Sequence, residues 1–137
     1  MENLDISNET STADPRSREG RAALAKMVTK LFELWKLSTA DQSALLGLSE
    51  ESRSTIARYR KGDPLADNRD LFDRATHLLA IHRSLRILFP KNREIVYRWA
   101  TTPNRQFEGH TPVEVIRKQG FLGLLTVRQY LDFQRGR

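Results

Sequence analysis

The sequence contains no cysteine and no apolar run approaching the length of a membrane span. The absence of cysteine excludes a disulfide framework and thiolate metal sites, and it agrees with a reducing cytosol. A membrane helix needs about 20 consecutive apolar residues, so no segment is expected to cross a bilayer. The first 15 residues also lack the basic start and apolar stretch of a secretory signal. These absences predict a cytoplasmic protein that makes no membrane contact.

Patterns that carry catalytic chemistry are also missing. No glycine-rich phosphate loop with a following lysine and no nucleophile-elbow pattern occurs. His77 and His82 are five residues apart, so on a helix they diverge, whereas an i, i+4 pair converges on a metal ion. We therefore expect no enzymatic activity, no cofactor and no metal site.

Positive charge is abundant and unevenly distributed. The 137 residues carry a net charge of +6. Residues 1–15 contain four acidic side chains and no basic one, so the other 122 residues carry 23 basic and 13 acidic groups, a net +10. A folded body this basic favours nucleic acid or another polyanion as a partner. A solvated basic surface without a partner is the alternative.

The N-terminal part divides into a polar tail and an amphipathic helix. Residues 1–16 are polar and acidic without hydrophobic periodicity, which predicts a disordered tail. From about Ser17 the spacing becomes helical. One apolar face of this helix carries Leu24, Val28, Leu31 and Trp35.

Two short helices are expected next. Ser38, with Asp41 three residues later, forms a capping pattern, and Gly47 is suited to end the helix that follows. Ser49 is expected to cap the second helix, which should end near Gly62. Two short helices around a tight turn, preceded by a longer helix, indicate a helix-turn-helix.

The second of these helices has the composition of a DNA-reading helix. Ser54, Arg58 and Lys61 share one face, and such a face addresses base edges and phosphates in the major groove. The opposite face carries Ile56 and Tyr59. Glu50 and Glu51 favour the alternative of an amphipathic helix whose exposed side is merely basic, because they would repel phosphate. The candidate DNA-binding residues are Ser49, Arg53, Ser54, Thr55, Arg58, Arg60 and Lys61.

The C-terminal part begins with a long helix from about Asn68 to Phe89. Asn92 is expected to cap a short helix, and a turn-rich loop over residues 102–110 follows. The run Thr111-Pro112-Val113-Glu114 combines a threonine cap, a proline at the first helical position and a glutamate three residues after the cap, so it predicts a helix start.

The final helix is expected from about Leu122 to Gln134, after a stop at Gly120. Its apolar stripe contains Leu124, Val127 and Leu131, and Tyr130 and Phe133 lie off that stripe. No strand-like alternation or internal repeat is present. The pattern predicts an all-α fold in which an N-terminal helix-turn-helix subdomain, residues 17–66, packs with a small C-terminal helical subdomain, residues 67–137.

Two stretches of the sequence resemble a known family. The run Trp99-Ala-Thr-Thr-Pro-Asn, followed by Phe107-Glu-Gly-His-Thr-Pro and then Gly120, resembles the Xre/MbcA/ParS toxin-binding domain of bacterial type II antitoxins. The runs Leu45–Ser49 and Ser54–Gly62 resemble the Xre-type helix-turn-helix that precedes this domain, with a turn longer than is usual there. The resemblance covers about residues 38–134.

This resemblance implies an antitoxin that binds and neutralises a RES-type toxin, an ADP-ribosyltransferase-like enzyme that consumes NAD. It also implies a homodimer that binds operator DNA and represses its own operon. The matching C-terminal end, residues 131–137, would approach the toxin's NAD pocket and obstruct it. The candidate toxin-binding residues are Trp99, Asn104, Phe107, Tyr130, Phe133, Arg135 and Arg137.

Other functions stay open on the residues alone. Trp99 and Phe107 are each suited to pinning the loop to the core, in which case they need not contact a partner. An alternative function is a stand-alone helix-turn-helix repressor whose C-terminal domain only dimerises. A further alternative is an enzyme or an adaptor without DNA contact. A neighbouring gene for a toxic enzyme would favour the antitoxin.

Overall fold

A computed structural model describes residues 14–136 of the chain. The disordered tail expected for residues 1–16 therefore lies outside the described residues, apart from its last three. Within the described range the fold consists of α-helices and two short 3-10 turns, without a strand. The helices are α1 (Arg18–Leu34), α2 (Thr39–Leu45), α3 (Arg53–Arg60), α4 (Arg69–Leu88), α5 (Arg93–Arg98), α6 (Pro112–Gln119) and α7 (Phe121–Gln134). The expected all-α class is confirmed.

Helices α2, α5 and α6 begin at the side-chain caps that were expected, and α4 begins at Asn68, where a helix start was expected. The Ser38 hydroxyl accepts the N–H of Asp41 at 3.1 Å, and the Asn68 and Asn92 side chains cap α4 and α5 in the same way. Thr111 and Glu114 form a reciprocal capping box at the start of α6. Each cap satisfies an N–H group that has no partner within its helix, so it fixes the helix start.

The expected cap at Ser49 is wrong. Helix α3 begins at Arg53, with Ser52 in the capping position. Leu48 packs against the core, and the Ser52 N–H then bonds to the Ser49 carbonyl in a turn. The chain is therefore held in a turn until residue 52, and the Ser49 hydroxyl lies 3.2 Å from that of Ser52. Glu50 and Glu51 lie in this turn and not in a helix.

One hydrophobic core joins the two halves. Helix α4 packs against α1 on one side and against α7 on the other, so it is the central element. Large side chains from both halves are fully buried. They include Phe32, Trp35, Leu45, Ile56, Leu78, Leu85, Ile116, Leu124 and Leu131.

A second junction links α2 of the helix-turn-helix to α6 of the C-terminal half. These helices pack against each other. At this junction, the guanidinium of Arg117 on α6 lies 2.5 Å from the carboxylate of Asp41 on α2 and 3.2 Å from that of Glu50. The guanidinium donates from two nitrogens to two different carboxylates, so it links α6 to α2 and to the turn before α3. We call these three residues the Arg117 clasp.

Candidate functional site

The faces of α3 divide as expected for a reading helix. Ile56 and Tyr59 are buried against the preceding helices. The exposed residues of this segment include Arg53, Ser54, Arg58 and Lys61. Residues three and four apart share a face of a helix, so the exposed positions form one polar and basic surface. This surface is available to a groove of DNA.

Two of the candidate arginines make ion pairs within the chain. Arg58 lies 3.7 Å from Asp63 and donates a long hydrogen bond to the Thr55 hydroxyl. The Nε of Arg60 lies 3.2 Å from the carboxylate of Glu33 on α1. Exposed pairs of this kind contribute little free energy, so phosphate can replace either carboxylate. Arg60 is directed towards Glu33 on α1, whereas Arg58 lies beside Thr55 on α3 itself.

One of the two carboxylates expected to repel phosphate is paired within the chain. Glu50 belongs to the Arg117 clasp, which supplies a neighbouring positive charge. Glu51 is exposed in the same turn. The charge balance at the entry of α3 is therefore more favourable to DNA than the sequence alone indicates.

Three of the candidate toxin-binding aromatic residues form one cluster. The rings of Trp99 and Tyr130 stack with centroids 6.2 Å apart. Phe107 meets both edge-on, at 6.4 Å from Trp99 and 5.4 Å from Tyr130. All three are half-buried. The cluster pins the loop to α7, as the alternative for Trp99 and Phe107 expected, and leaves part of each ring at the surface.

Asn104 is used inside the loop. Its side-chain oxygen accepts the N–H of Gln106 at 2.8 Å, and its backbone N–H bonds to the carbonyl of His110. Its own carbonyl accepts N–H groups from Phe107 and Gly109. Asn104 therefore shapes the loop that carries Phe107, and its effect on a partner would act through that ring.

The outer face of α7 is an exposed stripe formed by Leu122, Thr126, Gln129 and Phe133. Its two apolar ends are 66% and 71% exposed, at Leu122 and Phe133 respectively. An isolated exposed apolar residue is ordinary, but two on one helix face suit a contact surface. We call this face the α7 stripe.

Of the two arginines proposed to bind the toxin, Arg135 lies within the described residues. The guanidinium of Arg135 donates to the hydroxyl of Ser84 at 3.2 Å, so it lies back against α4. Arg137 lies outside the described residues. The structure thus brings Phe133 to the surface and holds Arg135 by a single hydrogen bond between side chains.

One histidine is tied to α7. Arg128 lies 2.6 Å from Nδ1 of His77. A guanidinium is a donor only, so His77 accepts this bond in its neutral form. Burial lowers the pKa of His77, and the charge of Arg128 lowers it further, against a smaller opposing effect of Asp73. His77 is therefore a packing residue between α4 and α7.

Two residues with structural roles were missed by the sequence reasoning. Arg117 forms the clasp, and its partners are too distant in sequence to signal it. Gly123 is buried where α7 crosses α6, and a Cβ added there would lie 2.5 Å from the carbonyl oxygen of Val115. A glycine within a helix costs roughly 1 kcal/mol relative to alanine. A glycine inside a predicted helix could therefore have indicated that α7 approaches another helix closely at Gly123.

Within residues 14–136, no group of three or more histidine and carboxylate side chains is arranged to hold a metal ion. None of the helices described there is long and apolar enough to cross a membrane.

Comparisons with known proteins agree with the resemblance. A family model for the antitoxin Xre-like helix-turn-helix domain matches residues 14–80. A second model, for the antitoxin Xre/MbcA/ParS C-terminal toxin-binding domain, matches residues 84–137. A protein of Sinorhizobium fredii described as "Uncharacterized protein y4oB" is 35% identical over 107 residues, which cover 78% of this chain and 80% of the relative. The two family models divide the chain within α4.

Proposed function

Since this chain belongs to the Xre-type antitoxins, with a helix-turn-helix domain and an Xre/MbcA/ParS toxin-binding domain, we propose that it neutralises a RES-type toxin by direct binding. The toxin is an NAD-consuming, ADP-ribosyltransferase-like enzyme. The antitoxin acts as a binding protein in the bacterial cytoplasm, without catalysis of its own. One observation carries the proposal: the toxin-binding domain ends in a helix whose outer face exposes Leu122 and Phe133.

The proposed mechanism is obstruction of the NAD pocket by residues 131–137. Leu131 is buried and anchors the segment, and Phe133 is free to enter an apolar part of the pocket. Arg135 exchanges its hydrogen bond with Ser84 for an acidic group of the toxin. Trp99, Phe107 and Tyr130 support this segment from beneath and contact the toxin with their exposed edges.

Co-expression with the product of the adjacent toxin gene tests the proposal. We expect the full chain to restore growth of cells that express the toxin, and the two proteins to co-purify in a stable complex. The complex should have lost NAD consumption, measured by the decrease of NAD in vitro. Growth arrest despite equal antitoxin expression, with no complex on a sizing column, would contradict the antitoxin function.

We further propose that α3 binds operator DNA upstream of the chain's own gene, as part of a homodimer. Arg58 is the best candidate for a base contact, because arginine pairs bidentately with guanine. Lys61, Arg53 and Arg60 are candidates for phosphate contacts, and Ser49, Ser54 and Thr55 for hydrogen bonds near the groove. Two half-sites separated by one helical turn would fit a dimer of such helices.

Replacing Arg58 and Lys61 together with alanine should weaken operator binding by roughly 10- to 100-fold. It should also make the decrease of affinity with salt less steep, by about one in log–log slope, because a phosphate contact is lost. Fluorescence anisotropy over a salt series measures both. The matched control is Lys91→Ala with Arg105→Ala, which removes the same charge from exposed positions outside α3. Equal affinities for the two double variants would refute the assignment.

A stand-alone repressor with a dimerising C-terminal domain is the second candidate. The observation that supports it is the aromatic cluster. Its three rings pack against one another within the chain, so they need no toxin to cover them. This candidate predicts operator binding without any effect on the neighbouring enzyme. The co-expression experiment therefore separates the two functions.

A further inference from the structure

A broad groove lies where α4 ends and α5 begins. Its volume is about 1060 Å³. It is formed by the last turns of α4, the link to α5 and the first turns of α5. The lining residues are His82, Arg83, Arg86, Ile87, Phe89, Pro90, Lys91, Arg93, Val96 and Tyr97. We call it the α4–α5 groove.

The charge of this groove is of one sign. Four of its lining residues, Arg83, Arg86, Lys91 and Arg93, are cationic, and none is acidic. Among the ion pairs formed within residues 14–136, none involves these four side chains. The nearest glutamate in sequence, Glu94, pairs with Arg98 instead. Four neighbouring cations without an internal counter-charge favour an anionic ligand.

The wall between these cations is not polar. Ile87 is 48% exposed. The rings of His82 and Tyr97 stack with centroids 5.6 Å apart, and the guanidinium of Arg93 lies over Tyr97 at 6.0 Å from its centroid. Aromatic and arginine side chains are enriched in protein interfaces. The groove therefore offers an apolar contact surrounded by positive charge.

We infer that the α4–α5 groove binds an acidic segment of the toxin that carries a large apolar side chain. This inference rests on the proposed function. The toxin-binding family model begins at residue 84, so most of the groove wall belongs to that domain. The groove adds a second toxin contact, separate from the obstruction of the NAD pocket by the chain's end.

A nucleic acid fits the groove less well. A sugar–phosphate backbone carries no large apolar side chain to cover Ile87, whereas an acidic peptide supplies both a carboxylate and such a side chain. Helix α3 packs against α1 and α2, and the groove is built from α4 and α5. The groove walls thus belong to other elements than the surface proposed for DNA.

Charge reversal tests the inference. The variant Arg86→Glu with Arg93→Glu should weaken binding of the purified product of the adjacent toxin gene by roughly 10- to 100-fold, because attraction becomes repulsion at two positions. Operator affinity should stay within about twofold of the wild type. The matched control is Arg18→Glu with Arg69→Glu. It makes an equal charge change at exposed positions at the N-terminal ends of α1 and α4, outside the groove. Titration calorimetry measures the affinity for the toxin, and fluorescence anisotropy measures the affinity for operator DNA.

A second variant tests the apolar part. Ile87→Ser keeps every charge and should weaken toxin binding by about 5- to 10-fold, since an exposed isoleucine that becomes buried in a complex contributes on the order of 1 kcal/mol. Thermal melting of each variant should stay near the wild type, because these side chains are exposed.

The outcomes separate the inference from the proposed function. A wild-type chain that does not bind the toxin contradicts both. If the wild-type chain binds the toxin and both groove variants bind it with the affinity of the Arg18 and Arg69 control, the inference about the groove is overturned. The proposed function then stands. Loss of operator affinity with toxin binding unchanged would also overturn it, since the groove would then serve nucleic acid.

Discussion

A chain that lacks residues 132–137 is expected to lose toxin neutralisation completely while keeping its fold. Leu131 is the last buried residue, and beyond it Asp132 and Arg135 are only half-buried. The deletion therefore removes the last turn of α7, with Phe133 and the Arg135–Ser84 hydrogen bond, but no fully buried side chain among the described residues. Buried aromatic anchors dominate interface free energies, so the affinity for the toxin should fall by at least about 100-fold. Rescue of growth in cells that express the toxin measures the loss.

Point variants refine this result. Phe133→Ala should reproduce most of the loss, whereas Gln134→Ala, an exposed neighbour, should bind the toxin like the wild type. Operator affinity of the truncated chain should be unchanged, because α3 lies in the other half of the protein. A truncated chain that still protects cells would show that residues 132–137 do not obstruct the toxin.

Replacing Gly123 with alanine should destabilise the protein by about 2 kcal/mol. The new Cβ would lie 2.5 Å from the Val115 carbonyl oxygen and 3.1 Å from the Cα of Ile116. Backbone atoms cannot rotate away, so α6 and α7 must separate. This separation outweighs the roughly 1 kcal/mol that alanine gains over glycine in a helix. The midpoint of thermal unfolding should fall by roughly 5–10 °C.

The control for this prediction is Gln129→Ala, on the exposed side of the same helix. It should leave the unfolding midpoint within about 2 °C of the wild type, as is usual for a surface substitution. A higher midpoint for Gly123→Ala would mean that helix propensity decides the outcome and that the close approach of α6 and α7 is unimportant.

The helix starts could be predicted because their causes are local. Ser38, Asn68, Asn92 and Thr111 each cap an N–H group three residues further along the chain. The prediction for Ser49 was wrong because the decisive contact is not local. Leu48 packs against the core, and the turn that follows delays α3 to Arg53.

Less of the candidate site could be predicted. Helical periodicity placed Phe133 off the buried stripe, and that residue is indeed exposed. The same periodicity could not show that Tyr130 stacks on Trp99, since the rings come from helices joined by a loop and a further helix. The α4–α5 groove likewise depends on the angle between two helices, which no local pattern specifies.

The Arg117 clasp has a consequence for recombination between related antitoxins. Arg117 and Asp41 are 76 positions apart in sequence, yet one guanidinium serves carboxylates on α2 and on the turn before α3. A chimera that takes its C-terminal half from a relative without this arginine would leave Asp41 and Glu50 uncompensated near α3, the helix proposed to bind DNA. The two halves are therefore not freely interchangeable modules. An exchange that preserves operator binding must carry all three residues together.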